Sequence, residues 1–547
     1  MNKFSLFSLA LMLSTGSIAY AQTPYVSSVW VADQGNGTYR NPILHADYSD
    51  PDAIRVGDDY YMTASSFNHA PGLPILHSKD LVNWKIVSHA LPRQFPEDVF
   101  NTVQHGNGVW APSIRYHEGE YYIYYGDPDF GIYMLKTKDP AGDWSEPVLV
   151  LEGKGLIDPC PFWDEDGNNY LSFAYAGTRA GLKSVVAVAR LNATGTKTLD
   201  RGVIVYDGHE DDPTIEGTKM HKRNGYYYLF APAGGVSTGW QLVLRSKNIF
   251  GPYERHVALH QGSAETNGPH QGAWVDTQTG EDWFLHFQDK DAYGRIVHLQ
   301  PMKWENDWPV IGVEKDVKGT GEPVMTYKKP NVGKTYPIET PAESDEFETT
   351  TLGKQWQWQA NPDGTWLMPS KNGHLTLYTK EAPKQYGNLL DIQNILTQKF
   401  PAEEFQATAK LRLIASDNVK LDGERAGFAV VGEDYSQLFV QHNQGKQTLH
   451  FGVCKKGLTG GKESSQEIAE VPNQGYIYLR VTVKKGAICQ WSYSLDGKKY
   501  TTAGDAFTAV PGKWIGATLG LYASREATIN DSGYAEVDWF RVEPLKK

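Results

Sequence analysis

The sequence predicts an all-β protein of two domains, a five-bladed β-propeller followed by a β-sandwich, on the strength of two repeats and one change of period. An aromatic pair or near-pair followed by an aliphatic residue recurs as Tyr61-Met62, Tyr122-Ile123, Tyr170-Leu171, Tyr228-Leu229 and Phe284-Leu285. Its spacing of about 50 to 60 residues is the length of one four-stranded blade. A second motif rhymes in the same order, as Ser78-Lys79-Asp80-Leu81-Val82-Asn83-Trp84, Thr137-Lys138-Asp139 before Trp144, and Ser246-Lys247-Asn248 before Tyr253, and reads as an outer-strand turn. From Asp345 onward the pattern changes to longer alternating strands separated by polar turns, the signature of a sandwich.

Taken in order, residues 1–21 read as an export signal. Lys3 precedes an apolar run over residues 4–13, and Ala19-Tyr20-Ala21 before Gln22 gives the small-residue cleavage pattern. The apolar core is too short to span a bilayer, and no cysteine follows for a lipid anchor, so a periplasmic or secreted protein without membrane anchorage is expected. Residues 22–325 are assigned to the propeller. Asn41-Pro42 opens the first blade, and Val56-Gly57-Asp58-Asp59-Tyr60-Tyr61 turns tightly into an aromatic strand. Residues 326–344 read as a linker and residues 345–547 as the sandwich. At 547 residues the chain is long enough for two well-formed cores. Three cysteines are too few for a disulfide scaffold: Cys454 and Cys489 either pair or stay as buried thiols, and Cys160 suits a small packing position. A net charge of −12 with no basic stripe excludes a nucleic-acid partner and favours a neutral substrate.

Counting back 11 to 14 residues from each aromatic signature reaches Asp50, Trp110, Asp158, Glu216 and His270. The innermost strands of a propeller line one axis, so nearly equivalent positions on them converge. Three converging carboxylates form a site. Asp50 and Asp158 each precede a proline, which fixes the chain at a strand end. Glu216 lies between Ile215 and Gly217, where partial desolvation would raise its pKa, and a raised glutamate beside ionised aspartates is the division of labour that glycosidic cleavage requires. His270 in Gly268-Pro269-His270-Gln271-Gly272 suits a substrate contact, a central water or ion, or axial packing. It has no neighbours at transition-metal spacing. Trp110 and Phe67 are candidates for an apolar wall against a sugar ring, with Trp240 a weaker candidate for the rim. Asp164-Glu165-Asp166-Gly167-Asn168 lacks the length of a calcium loop and reads as a hairpin turn.

These motifs resemble glycoside hydrolase family 43. The likeness runs through Asn41-Pro42-Ile43-Leu44, Asp50-Pro51, His77-Ser78-Lys79-Asp80-Leu81-Val82-Asn83-Trp84, Ile157-Asp158-Pro159, Glu216-Gly217 and Gly294-Arg295. The resemblance implies that Asp50 is the general base, Glu216 the general acid and Asp158 the group that tunes and orients the acid. It places His270 and Arg295 against the sugar and implies inversion at the anomeric carbon. Trp356-Gln357-Trp358-Gln359-Ala360-Asn361-Pro362 resembles the opening of the concanavalin-like sandwich attached to many such enzymes, where that domain closes one side of the pocket. The first expectation is an exo-acting enzyme that releases terminal α-L-arabinofuranose from xyloglucan or arabinoxylan fragments. A β-xylosidase with the same carboxylates is the alternative, and a non-catalytic sugar-binding propeller a remote third. No cofactor is required, and a structural calcium ion on the axis is left open. Asp52, and Thr218-Lys219 after Glu216-Gly217, depart from the family's usual small residue and Gly-Pro.

Overall fold

The structure is a computed structural model that describes residues 24–369, 373–383, 387–416, 422–526 and 531–546; the expected export signal at residues 1–21 lies outside them. Four blades are consecutive four-stranded antiparallel meanders. Blade I comprises Asp52–Val56, Asp59–Thr63, Gly72–Ser78 and Trp84–Leu91; blade II begins at Trp110–His117, blade III at Leu156–Trp163 and blade IV at Lys219–Arg223. Blade V takes its three inner strands, His270–Asp276, Asp282–Asp289 and Arg295–Glu305, from the end of the repeat and its outer strand, Leu44–Asp47, from the beginning. That pairing closes the ring. Asn41 fastens it, because its side-chain amide donates to the carbonyls of Leu299 and Val324 while its oxygen accepts from the Leu299 N–H.

The aromatic signature lies on the second strand of each blade, where one side chain of each pair packs between neighbouring blades. Tyr60 and Met62 are wholly buried in one such cluster, and Leu171 and Phe173 in another. Burying a large side chain contributes roughly 1.5–3 kcal/mol, so the repeated signature is what holds blade on blade. The span read as a linker begins with a short strand, Thr326–Lys328, paired with Thr38–Arg40.

The sandwich stacks two seven-stranded paths around one core that includes Phe405, Leu411, Phe428, Leu479, Trp491 and Phe540. All three cysteines are buried and free, Cys454 in one sheet and Cys489 in the other. The sandwich grips the propeller through backbone and amide contacts. Ala70 and Trp358 exchange backbone hydrogen bonds, and the Asn361 side chain bonds both the N–H and the carbonyl of Gln94. Paired N–H and C=O groups cannot shift by one residue without breaking, so the two domains have one register.

Candidate active site

Within two residues of the start of each inner strand stands a residue in the left-handed region: Asp50 (φ 55°), Ala111 (φ 37°), Asp158 (φ 56°), Gly217 (φ 66°) and Gln271 (φ 42°). The ladder register slips beside it in blades II, III and V, as a β-bulge requires. The five candidates therefore occupy two adjacent positions. Asp50 and Asp158 stand on the left-handed residue, whereas Trp110, Glu216 and His270 immediately precede it. Glycine is required only after Glu216, where a Cβ on Gly217 would come within 2.8 Å of Pro232 and 2.9 Å of the Gln271 side chain.

Asp50 is held as an acceptor on every side. Ser49 Oγ and Ser65 Oγ donate to its Oδ2 at 2.7 and 2.6 Å, and Arg295 Nη1 stands 3.4 Å from both carboxylate oxygens. Ser65 Oγ itself accepts the Ala111 N–H at 2.7 Å, so its proton is directed at Asp50. Asp158 accepts the Gly217 N–H at 2.6 Å, and its carbonyl accepts the Thr218 hydroxyl. Burial raises the Asp158 pKa to about 7 against the pull of that N–H and of Lys219. Burial, then the neighbouring Asp158 and Asp50 carboxylates, raise Glu216 to about 8. Only 29% of the Glu216 side chain is exposed, and the nearest basic nitrogen, His270 Nε2, is 3.7 Å from its Oε1. Asp158 has a short N–H donor and Glu216 does not, so the proton this pair shares rests on Glu216.

His270 is wholly buried, and burial lowers its pKa to about 3, so the ring is neutral. Both its nitrogens lack a hydrogen-bond partner among the described residues, which leaves them free for a ligand hydroxyl. Trp110 is half-buried, with its indole N–H on the Gly106 carbonyl at 2.7 Å, and Phe67 packs edge-on behind it at 6.5 Å. Phe67 is buried and backs the wall rather than forming it. Trp240 packs in the core of blade IV with its indole N–H toward Asp212.

Three groups escaped the sequence reading. Ser49 and Ser65 are ordinary residues whose role appears only when Asp50 is placed between them. Trp514, on a turn of the sandwich, stands 6.0 Å from Trp110 and 5.7 Å from the Arg295 guanidinium, and is still 41% exposed. The Pro511-Gly512 turn before an exposed tryptophan was its only signal.

The departures Asp52, Thr218 and Lys219 each tie one blade to another, Thr218 through the Asp158 carbonyl. Asp52 pairs with Arg115 at 2.6 Å and accepts the Ile114 N–H, and Arg115 reaches on to Cys160 Sγ at 3.0 Å. Cys160 is thus an acceptor as well as a packing residue, since it also takes the Met220 N–H. Lys219 of blade IV donates to Pro112 O and Ser113 Oγ of blade II, which lie across the axis from it. Among the described residues no group of three His, Cys, Asp or Glu side chains is arranged to hold a metal ion.

A family model described as glycosyl hydrolases family 43 matches residues 39–309, and one described as the beta xylosidase C-terminal concanavalin A-like domain matches residues 344–543. A putative beta-xylosidase of Xylanibacter ruminicola is 42% identical over 89% of this chain and 86% of its own. The non-reducing end alpha-L-arabinofuranosidase BoGH43B of Bacteroides ovatus is 28% identical over 94% of this chain and 96% of its own. The solved structure of Bacteroides ovatus xyloglucan PUL GH43B, 26% identical, covers 93% of this chain and 100% of its own with a TM-score of 0.77.

Proposed function

The chain belongs to family 43 of the glycosyl hydrolases, and from that premise we propose an exo-acting, inverting pentosidase that removes terminal β-D-xylosyl residues from hemicellulose oligosaccharides. The observation that carries the chemistry is the split between two carboxyl groups in one pocket. Glu216 keeps its proton to about pH 8, while Asp50 sits between two hydroxyl donors and a guanidinium. Glu216 is the general acid that protonates the departing oxygen. Asp50 is the general base that takes a proton from the attacking water, so that attack and departure occur on opposite faces of the ring. Asp158 holds Glu216 protonated by its adjacent charge and fixes the turn that carries it through the Gly217 N–H. The neutral His270 ring and Arg295 bind sugar hydroxyls, and Trp110 and Trp514 pack on the C–H faces of the ring. Water is the only co-reactant this scheme needs, with Lys219 and Arg115 supplying positive charge beneath the site. Export is the localisation we infer, on the residues 1–21 pattern alone.

The expectation from sequence favoured α-L-arabinofuranosides, and that remains the second reading, supported by the arabinofuranosidase relative at 28% identity. The relative at 42%, named a putative beta-xylosidase, moves the preference to xylosides. The test is kcat/KM of the purified protein on aryl β-D-xyloside against aryl α-L-arabinofuranoside. A hundredfold preference for the xyloside, about 2.7 kcal/mol at the transition state, supports the first reading. The reverse ratio supports the second, and no turnover of either overturns both.

A further inference from the structure

The sandwich loop that carries Trp514 has to be held against the propeller with enough accuracy to form a pocket wall. The carboxylate of Asp47, on the outer strand of blade V, is placed to do that. Its Oδ1 accepts the backbone N–H of Arg295 at 2.9 Å, and its Oδ2 accepts the backbone N–H of Gly516 at 2.9 Å. One buried side chain thus fixes the residue that bears the guanidinium and the loop that bears the indole, two groups that meet 5.7 Å apart at the pocket. Close approach of backbone to backbone completes the docking. The Ala517 N–H donates to the Ala292 carbonyl at 2.7 Å, and a Cβ on Gly516 would lie 2.7 Å from the Gly294 nitrogen.

We propose that Asp47 is a positioning residue that brackets Arg295 and the Trp514 loop into one arrangement, so that the two domains shape the sugar pocket jointly. It acts through those two groups and touches no reacting atom. The inference rests on the pentosidase reading for its effect on turnover, but the bracket itself is a property of two backbone N–H groups. An aspartate is suited to it because a carboxylate offers two acceptor oxygens. Asparagine offers one, and turns an N–H₂ toward the second donor. Nothing else about the side chain's size changes.

The experiment compares wild type, Asp47→Asn, Trp514→Ala and the double variant in two assays. Hydrogen exchange of peptides spanning residues 512–517 reads the loop directly. The bracket predicts at least tenfold faster exchange there in Asp47→Asn, with strand Glu424–Val431 unchanged. Kinetics on aryl pentosides read the pocket. The prediction is a loss of at least tenfold in kcat/KM carried mainly by KM, and a double variant within threefold of the worse single variant. Loop exchange within twofold of wild type, or Asp47→Asn turnover within threefold of wild type, overturns the proposal. So do losses that multiply in the double variant, since a general loss of stability would be indifferent to Trp514. Should Asp47→Asn fail to fold, Gly516→Ala presses the same loop away with Asp47 intact and must give the same two signatures, or the proposal falls. Wild type inactive on every aryl pentoside would overturn the pentosidase reading, while the exchange of residues 512–517 would still decide the bracket.

Discussion

The floor of the pocket and its wall are built by opposite means. The floor comes from one element repeated around the ring, a left-handed residue near the start of the inner strand, which presents Asp50, Asp158 and Glu216 at nearly the same place in three blades. The wall comes from a single event, a turn of the second domain that places Trp514 against Trp110. A repeated element is stabilised at every copy by the same blade-to-blade packing, so its geometry is determined locally. The wall depends on an interface hundreds of residues distant in sequence, held by Asp47, Asn361 and the Ala70–Trp358 pairing. Chemistry should therefore follow the floor, and selection among sugars and leaving groups the wall.

Breaking the floor should have the largest effect. Asp50→Asn and Glu216→Gln are each expected to lower kcat on aryl pentosides about a thousandfold, as removal of a general acid or base does, with the fold retained by circular dichroism. For an activated leaving group such as dinitrophenolate, Glu216→Gln should recover much of its rate and Asp50→Asn should not, because only the first loss is a loss of proton donation. Next in size is the network beneath. Arg115→Met leaves Asp52 buried without its ion pair, which costs about 3–5 kcal/mol. Calorimetry should show the propeller transition lowered by several degrees and the sandwich transition unmoved. The wall comes after: Trp514→Ala should cost about 1 to 2 kcal/mol in kcat/KM, roughly five- to thirtyfold, and leave the melting profile intact.

A further effect is a pH dependence whose sign is fixed by Glu216. Its folded pKa is raised from the ordinary glutamate value to about 8 by burial and by the two aspartates, so the acid is in working form below that pH, and kcat/KM should fall as pH rises through about 8. In stability the native state holds a proton that the unfolded chain releases near pH 4.5. Stability from this group is complete below that point and declines up to about pH 8. Glu216→Gln removes the decline, so its melting temperature should rise relative to wild type between pH 5 and pH 9. A constant difference across that range would mean that Glu216 is not desolvated.

The same contrast explains what could be read from the chain alone. Asp50, Asp158 and Glu216 were legible because the aromatic strands of successive blades supplied a ruler, but that ruler does not distinguish the left-handed residue, as at Asp50 and Asp158, from the one before it, as at Trp110, Glu216 and His270, because backbone φ leaves no trace in the spacing. Asp52, Thr218 and Lys219 were legible only as departures from a family pattern. Their roles are contacts between blades that no local pattern encodes: Asp52 with Arg115, Thr218 with the Asp158 carbonyl and Lys219 with the Pro112 carbonyl. Phe67 was a reasonable candidate by type but packs behind Trp110. Trp514 and Asp47 were out of reach, since their meaning lies in the docking of one domain on the other.

Proton NMR of the first product formed from aryl β-D-xyloside decides whether Asp50 activates water on the face opposite to the one where Glu216 releases the leaving group. The account predicts that α-xylose appears first and then relaxes to the mixture of anomers. Should the enzyme turn over only the α-L-arabinofuranoside, β-arabinose should appear first. An initial product with the configuration of the substrate would contradict the account, because it would make one of these carboxylates a nucleophile.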